Sequence, residues 1–180
     1  MKVEGSYTIH ASRDHAWLLL IDPEVISKCI SGCESLEEKE PGIYNITLKA
    51  GVGSIKGVFT GTIRLDNINE PEHYRMIVDC KGSPGFIRGE GSLDVIESGD
   101  GTIVNYVGDV SVGGTLASVG QRMIQATSKM MAGNFFAAIE AEAKAWQKAE
   151  ENNEPYKAPK HGFFRNTIRQ IKNKVTAQPY

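Results

Sequence analysis

Four histidines, three cysteines and two glycine-rich runs are where chemistry could begin in this 180-residue chain. Hydrolysis, proton abstraction and group transfer need an acid, a base, a nucleophile or a metal held at a set spacing. His10 closes an alternating segment on its polar side, His15 falls in a short surface helix, His73 in a turn and His161 in a linker. No two of them are spaced as metal ligands. Cys29 and Cys33, in CISGC, miss the CxxC spacing, and no second Cys/His pair lies near enough to complete four ligands. They read as packed thiols beside a turn. With Cys80 they make an odd count, which argues against a disulfide framework. GVGSIKG (51–57) has the glycines and lysine of a phosphate loop, but it lacks the Gly-Lys-Ser/Thr ending and leads into a strand. GFIRGEG (85–91) is no nucleotide fingerprint either. The residues predict no catalytic group, no metal and no catalytic cofactor, so the chain is expected not to be an enzyme.

The elements that would position a site are clear from periodicity. Residues 2–9 alternate, with Val3, Tyr7 and Ile9 on one side and Lys2, Glu4 and Thr8 on the other, as in a half-buried strand. Ser12 is a plausible N-cap for a short helix through AWLLLI, and Pro23 opens a second one that ends at Gly32. From Ser35 to about Val112, alternating runs are joined by PG, NEPEH, GSPG and SGDG, all turn chemistry that favours antiparallel neighbours. A long helix rich in Ala, Met, Glu and Lys is expected from about Leu116 to Glu151. The reading is an α+β domain over 1–151: a curved antiparallel sheet of about seven strands wrapped around that helix, with two short helices after strand one. Residues 152–162 form a linker, and 163–180 a basic amphipathic tail.

One sheet face collects nearly all the apolar strand residues and no charge or histidine, while Arg64, Asp66, Arg75, Asp79 and Arg88 share the other. Gly5, Gly57, Gly61, Gly89, Gly91 and Gly108 fall on the apolar parity. They fit either sheet curvature or room left beneath the helix, and both readings stand. A methionine-rich helix stripe facing such a sheet suits a cavity, because Met adapts to an occupant of varied shape. The residues expected to line it are Tyr7, Leu48, Phe59, Ile63, Met76, Phe86, Ile87 and Tyr106 from the strands. Leu116, Met123, Thr127, Met130, Met131 and Phe135 come from the helix. Tyr7, Tyr44, Tyr74, Tyr106 and Thr127 are the polar handles for a carbonyl or hydroxyl. An apolar cavity without a catalytic group is what a carrier of a hydrophobic small molecule would have.

Charge is distributed unevenly. Residues 155–180 hold six Lys/Arg (Lys157, Lys160, Arg165, Arg169, Lys172, Lys174) and no acid, which leaves 14 basic against 22 acidic residues in 1–154. In the tail, Phe164, Ile168, Ile171 and Val175 recur at helical spacing. The residues expected to meet a membrane are Phe163, Phe164, Arg165, Ile168, Arg169, Ile171, Lys172 and Lys174. Each basic residue near an anionic leaflet contributes roughly 1 kcal/mol, so six set a ceiling of about 6 kcal/mol. The N-terminus lacks a signal-peptide pattern, and no apolar run is long enough to cross a bilayer. The expectation is a cytoplasmic protein, peripheral on the inner face of the cell membrane. Nucleic-acid binding is disfavoured by the acidic body.

DPEVISKCISGCESLEE (22–38), GVGSIKGVFTG (51–61), GFIRGEG (85–91) and GGTLASVGQRMI (113–124) together closely resemble the carbon monoxide dehydrogenase G-subunit family, within the START-like helix-grip superfamily. The likeness runs over about residues 1–145. It implies a hydrophobic ligand held between sheet and helix, specifically a lipophilic respiratory quinone of the menaquinone or ubiquinone type. It also implies a carbon monoxide dehydrogenase-type molybdenum hydroxylase as partner, linked to the membrane and its electron transport chain. The alternatives are an interaction or assembly module for that hydroxylase with no bound ligand, and a carrier of another lipid.

Overall fold

The computed structural model describes residues 1–156. Seven strands form one antiparallel sheet: β1 (Lys2–Ile9), β2 (Cys33–Glu40), β3 (Ile43–Val52), β4 (Ile55–Asn69), β5 (His73–Gly82), β6 (Gly85–Ser98) and β7 (Gly101–Gly113). Their order is β1-β7-β6-β5-β4-β3-β2, a meander from β2 to β7 with β1 added beside β7. The short turns anticipated from sequence thus pair each strand with the next, and β1 and β2 are the two edges.

Helices α1 (Arg13–Ile21) and α2 (Pro23–Cys29) carry the chain from β1 to β2, and α3 (Gln121–Glu151) crosses the apolar face. Local chemistry explains the starts. Ser12 Oγ accepts from the His15 N–H at 3.3 Å, and Asp22 Oδ1 from the Glu24 N–H at 2.9 Å, with Pro23 in the first turn of α2. The far end of α3 closes with Asn153 at φ 54° and the Glu154 N–H donating to the Ala149 carbonyl at 2.8 Å, which satisfies a helix-end acceptor.

One expectation fails here. The long helix does not run unbroken from Leu116: residues Gly114–Val119 form a 3₁₀ turn, and Gly120, at φ 90°, separates it from α3. That backbone is open to glycine and strained for other residues. The break resets the phase of everything after it.

The interior has two centres. Ile9, Trp17, Leu19, Leu20, Val95, Val104, Phe136 and Ile139 pack where α1 and α3 meet the β1–β7–β6 end of the sheet. Ile46, Val52, Phe59, Ile63, Cys80 and Leu116 pack where the 3₁₀ turn covers β3, β4 and β5. Leu65 and Met76 touch both.

Candidate functional site

Between the two cores lies a cavity of about 280 Å³. Its floor is the middle of the sheet: Tyr44 from β3, Ile63 and Leu65 from β4, Tyr74 and Met76 from β5, Leu93 from β6 and Tyr106 from β7. Met131, Ala132, Phe135 and Phe136 of α3 form one wall. Ile21, Pro23, Ile26, Ile30 and Ser31, around α2 and the loop after it, form the other, with Leu36 of the edge strand β2 beside them. Among the described residues that line it, none is charged. Ser31 is exposed and Ile26, Ile30 and Met131 are half-buried, so the cavity opens between the α2–β2 loop and α3.

The polar atoms are few, and burial controls them. Tyr74 is fully enclosed, and its hydroxyl donates to the Leu20 carbonyl at 3.1 Å. That carbonyl lies in the last turn of α1, where no helical partner is available. Burial pushes the Tyr44 hydroxyl up to about 12, helped by the nearby Glu38 and Asp22 carboxylates. Burial, and then Tyr7, raises Tyr106. Both phenols therefore stay protonated at working pH and can donate to a carbonyl oxygen. Asp22, at the foot of α2, is pushed up by burial against the opposing pull of the Glu24 and Val25 N–H groups. The thiols of Cys29 and Cys80 are raised by burial to about 11, too high to supply thiolate near neutrality. Among the described residues no cluster of three His, Cys, Asp or Glu could hold a metal.

Of the residues expected to line a cavity, Ile63, Met76, Tyr106, Met131 and Phe135 do so. Tyr7 stands behind the wall, stacked on Phe136 at 4.4 Å and on Tyr106 at 6.2 Å. Leu48, Phe59, Ile87 and Leu116 belong to the second core rather than to the cavity. Phe86 faces outward under the Arg88 guanidinium, 4.8 Å from its ring centre, because neighbours on a strand point to opposite faces. Met123 and Met130 are corrected too: they are 47% and 59% exposed. Once α3 starts afresh at Gln121, its inward stripe is Ile124, Met131, Phe135, Phe136, Ile139 and Ala143, and Met123 and Met130 are turned away. Thr127 is half-buried and does not reach the cavity. The tail residues Phe163, Phe164, Arg165, Ile168, Arg169, Ile171, Lys172 and Lys174 lie outside the described residues.

The glycine question resolves on side-chain and backbone contacts. A Cβ at Gly5 would sit 2.7 Å from the Tyr106 ring and hydroxyl, so the phenol lies flat over its cross-strand partner. Gly57 yields its space to Pro84, Gly61 to the Asp79 backbone, and Gly91 and Gly108 to each other's strand. None lines the cavity. These glycines serve close packing and coiling of the sheet, and the empty volume comes from the separation of α2 and α3.

Sequence reasoning missed the α2 wall and Ala132. The signal was present in the Pro23-led segment, whose Ile26 and Ile30 are spaced by one helical turn, but periodicity gives a face and not what that face meets.

The profile of the CoxG family, the G subunit of carbon monoxide dehydrogenase, matches residues 5–144. No curated protein matches the chain significantly. Among solved structures, a conserved protein from Geobacillus kaustophilus is 33% identical, with a TM-score of 0.78, covering 81% of this chain and 97% of that one. A START superfamily protein from Mycobacterium smegmatis is 14% identical at a TM-score of 0.60, covering 79% and 97%. The Zhui aromatase/cyclase from Streptomyces sp. R1128 is 16% identical at 0.61, covering 83% and 97%. The last two share the fold: a START-like helix grip.

Proposed function

The chain belongs to the CoxG family, the G subunit of carbon monoxide dehydrogenase, and from that premise we propose that it is a non-catalytic carrier of a lipophilic respiratory quinone. In this reading it serves a carbon monoxide dehydrogenase-type molybdenum hydroxylase and links it to the cell membrane and its electron transport chain. The observation that carries the proposal is the uncharged cavity between α2, α3 and the sheet. Its size is near the lower end of small-molecule sites, about 300–1,000 Å³. A substituted quinone ring fits that scale, and its isoprenoid chain would leave through the mouth beside Ile30 and Met131.

The hydroxyls of Tyr44 and Tyr106 would donate to the quinone carbonyls. A quinone brings no charge into the site, which matters where no lining side chain could neutralise one. Among the described lining residues there is no carboxylate, imidazole or amine to move a proton, which favours carriage over turnover.

Docking on the inner membrane face is assigned to the basic segment 163–180, whose patterning suits an anionic leaflet. Among the described residues no helix is long and apolar enough to cross a membrane.

The test is organic extraction of the purified protein with mass analysis, followed by titration of the extracted protein with decylubiquinone while tryptophan emission is recorded. Saturable quenching near one equivalent is expected, weakened in Tyr44→Phe and Tyr106→Phe. No extracted lipid together with no saturable quenching would sink the proposal.

A further inference from the structure

We propose that one end of the folded body is itself a docking face for an anionic lipid surface: the β3–β4 and β5–β6 turns, the 3₁₀ turn and the first half of α3. The cavity mouth opens toward that face. Only the use of the face, passing a guest between bilayer and cavity, rests on the carrier reading.

The turns of an antiparallel meander alternate between two ends of the sheet. The β2–β3, β4–β5 and β6–β7 turns share one end, and the β3–β4 and β5–β6 turns share the other with the last residues of β7. Charge divides between these ends. Residues 37–42, 66–73 and 94–102 hold three acids each, with Lys39 their one Lys or Arg. Residues 48–60, 80–89 and 110–139 hold two cations each (Lys49, Lys56; Lys81, Arg88; Arg122, Lys129) and no acid. Lys49 pairs with Glu34 at 3.1 Å and Arg88 with Asp79 at 3.2 Å. Lys56, Lys81, Arg122 and Lys129 are exposed and make no ion pair among the described residues.

The three basic segments form one surface. Pro84 packs over Gly57, the Leu116 N–H donates to the Pro84 carbonyl at 2.8 Å, and Met123 Sδ lies 3.1 Å from where a Cβ on Gly53 would be. On α3, Arg122 and Lys129 form one row and Met123 and Met130 the next, each pair seven residues apart, with exposed Ala126 between the rows. Bare methionines set among unpaired cations suit the boundary of an anionic bilayer, where thioethers enter the acyl region and cations meet the headgroups. The mouth lies at the same end. Its α3 lip is Met131, next to Met130. Its other lip, at Ile30 and Ser31, is tied to β3 by the Lys49 N–H, which donates to the Gly32 carbonyl at 2.8 Å three residues before β3 ends. A lipophilic guest leaving the mouth therefore meets the docked bilayer without crossing open water.

Full-length chains are sedimented at low salt with vesicles of equal parts phosphatidylcholine and phosphatidylglycerol. Lys56→Glu/Lys81→Glu/Arg122→Glu/Lys129→Glu is expected to partition at least about hundredfold more weakly than the unmodified chain, a change of about 2.8 kcal/mol. Met123→Ser/Met130→Ser, which keeps every cation, is expected to partition about tenfold more weakly. In hydrogen–deuterium exchange the vesicles should slow amides of residues 51–57, 82–86 and 114–131 in the unmodified chain and leave 66–73 and 94–101 unchanged. Equal partitioning of all three chains, or no slowing at the basic end, would overturn the proposal. Polyglutamate slowing the same amides as strongly as the vesicles do would assign the face to an acidic protein and overturn the lipid reading. Titration with decylubiquinone in solution, expected to be the same for all three chains, reports an intact fold and tells the two readings apart. Equal titrations with equal partitioning refute the face and leave the carrier. No titration by any chain, with partitioning still different, refutes the carrier and leaves the face.

Discussion

Replacing Ala132 with phenylalanine is the sharpest test of whether the cavity is real space for a guest. Ala132 sits on the α3 wall between Met131 and the Phe135–Phe136 pair, facing the opening between the two cores. A void of about 280 Å³ left dry costs up to ~24 cal/mol per Å³, a ceiling of about 7 kcal/mol. That rivals the whole stability of an ordinary domain, about 5–15 kcal/mol. The open mouth lowers the figure, but an empty cavity is still a reservoir of stability that a side chain can recover. Burying a phenylalanine recovers about 1.5–3 kcal/mol, and its poorer helix propensity returns roughly 0.5 kcal/mol. The expected gain of about 1–2.5 kcal/mol corresponds to a Tm rise of about 2–10 °C for a chain of this length. Decylubiquinone binding, followed by tryptophan quenching, should weaken at least about tenfold, because the ring now occupies the guest's place. Calorimetry and titration on the same sample decide. Quinone binding that is unchanged refutes the location. A Tm drop matching the ~1–3 kcal/mol of overpacking shows that no spare room existed beside Ala132.

Three further perturbations follow from named contacts. Tyr74→Phe leaves the Leu20 carbonyl buried without a donor and should cost about 1–3 kcal/mol in urea unfolding, with quinone affinity little changed; a cost near zero would mean that water replaces the hydroxyl. Gly5→Val displaces the Tyr106 ring from the sheet into the cavity, so the titration should show weaker binding with β1 still paired to β7; unaltered affinity would separate Tyr106 from the ligand. Burial alone would push the Glu140 carboxyl up, but the His10 N–H and imidazole at 2.9 and 2.8 Å and Lys144 at 3.6 Å outweigh it and hold Glu140 below its usual value near 4.5. A depressed carboxyl contributes stability above the unfolded pKa and loses it as pH falls through the folded one. Glu140→Gln should therefore lower stability by about 1 kcal/mol at pH 7 and flatten the acid limb below about pH 4.5; parallel pH profiles would contradict this.

The parts of the structure that local chemistry dictates are legible in the sequence. Alternation and turn residues define the strands and their antiparallel meander, and Ser12 and Pro23 announce α1 and α2. What is not legible depends on contacts between distant segments. The phase of α3 turns on Gly120, one glycine inside a helical run, and with it the sides taken by Met123, Met130 and Met131. Strand parity correctly separates the two faces, yet an inward Phe86 beside an inward Ile87 is what parity itself forbids. The floor of the cavity comes from the expected face. Its second wall comes from α2, whose partner no periodicity names.

The cavity has a structural cause that bears on its use. Two cores form because α3 is pinned to the β1 end of the sheet, where His10 binds Glu140 and Gln147 donates to the His10 carbonyl at 2.7 Å. The 3₁₀ turn covers the β3–β5 end. Neither element fills the middle, and α2, held by its Asp22 cap, supports a second wall there without filling the space. Collapse would require α3 to tilt off the β1 end and give up the stack of Tyr7, Phe136 and Tyr106. Tyr7 and the His10–Glu140 contact are absent from the cavity lining, yet they keep it open. Variants that loosen them, Tyr7→Ala above all, should lower quinone affinity without touching the ligand. Chain stability should fall in parallel, which a residue acting only through ligand contact would not cause.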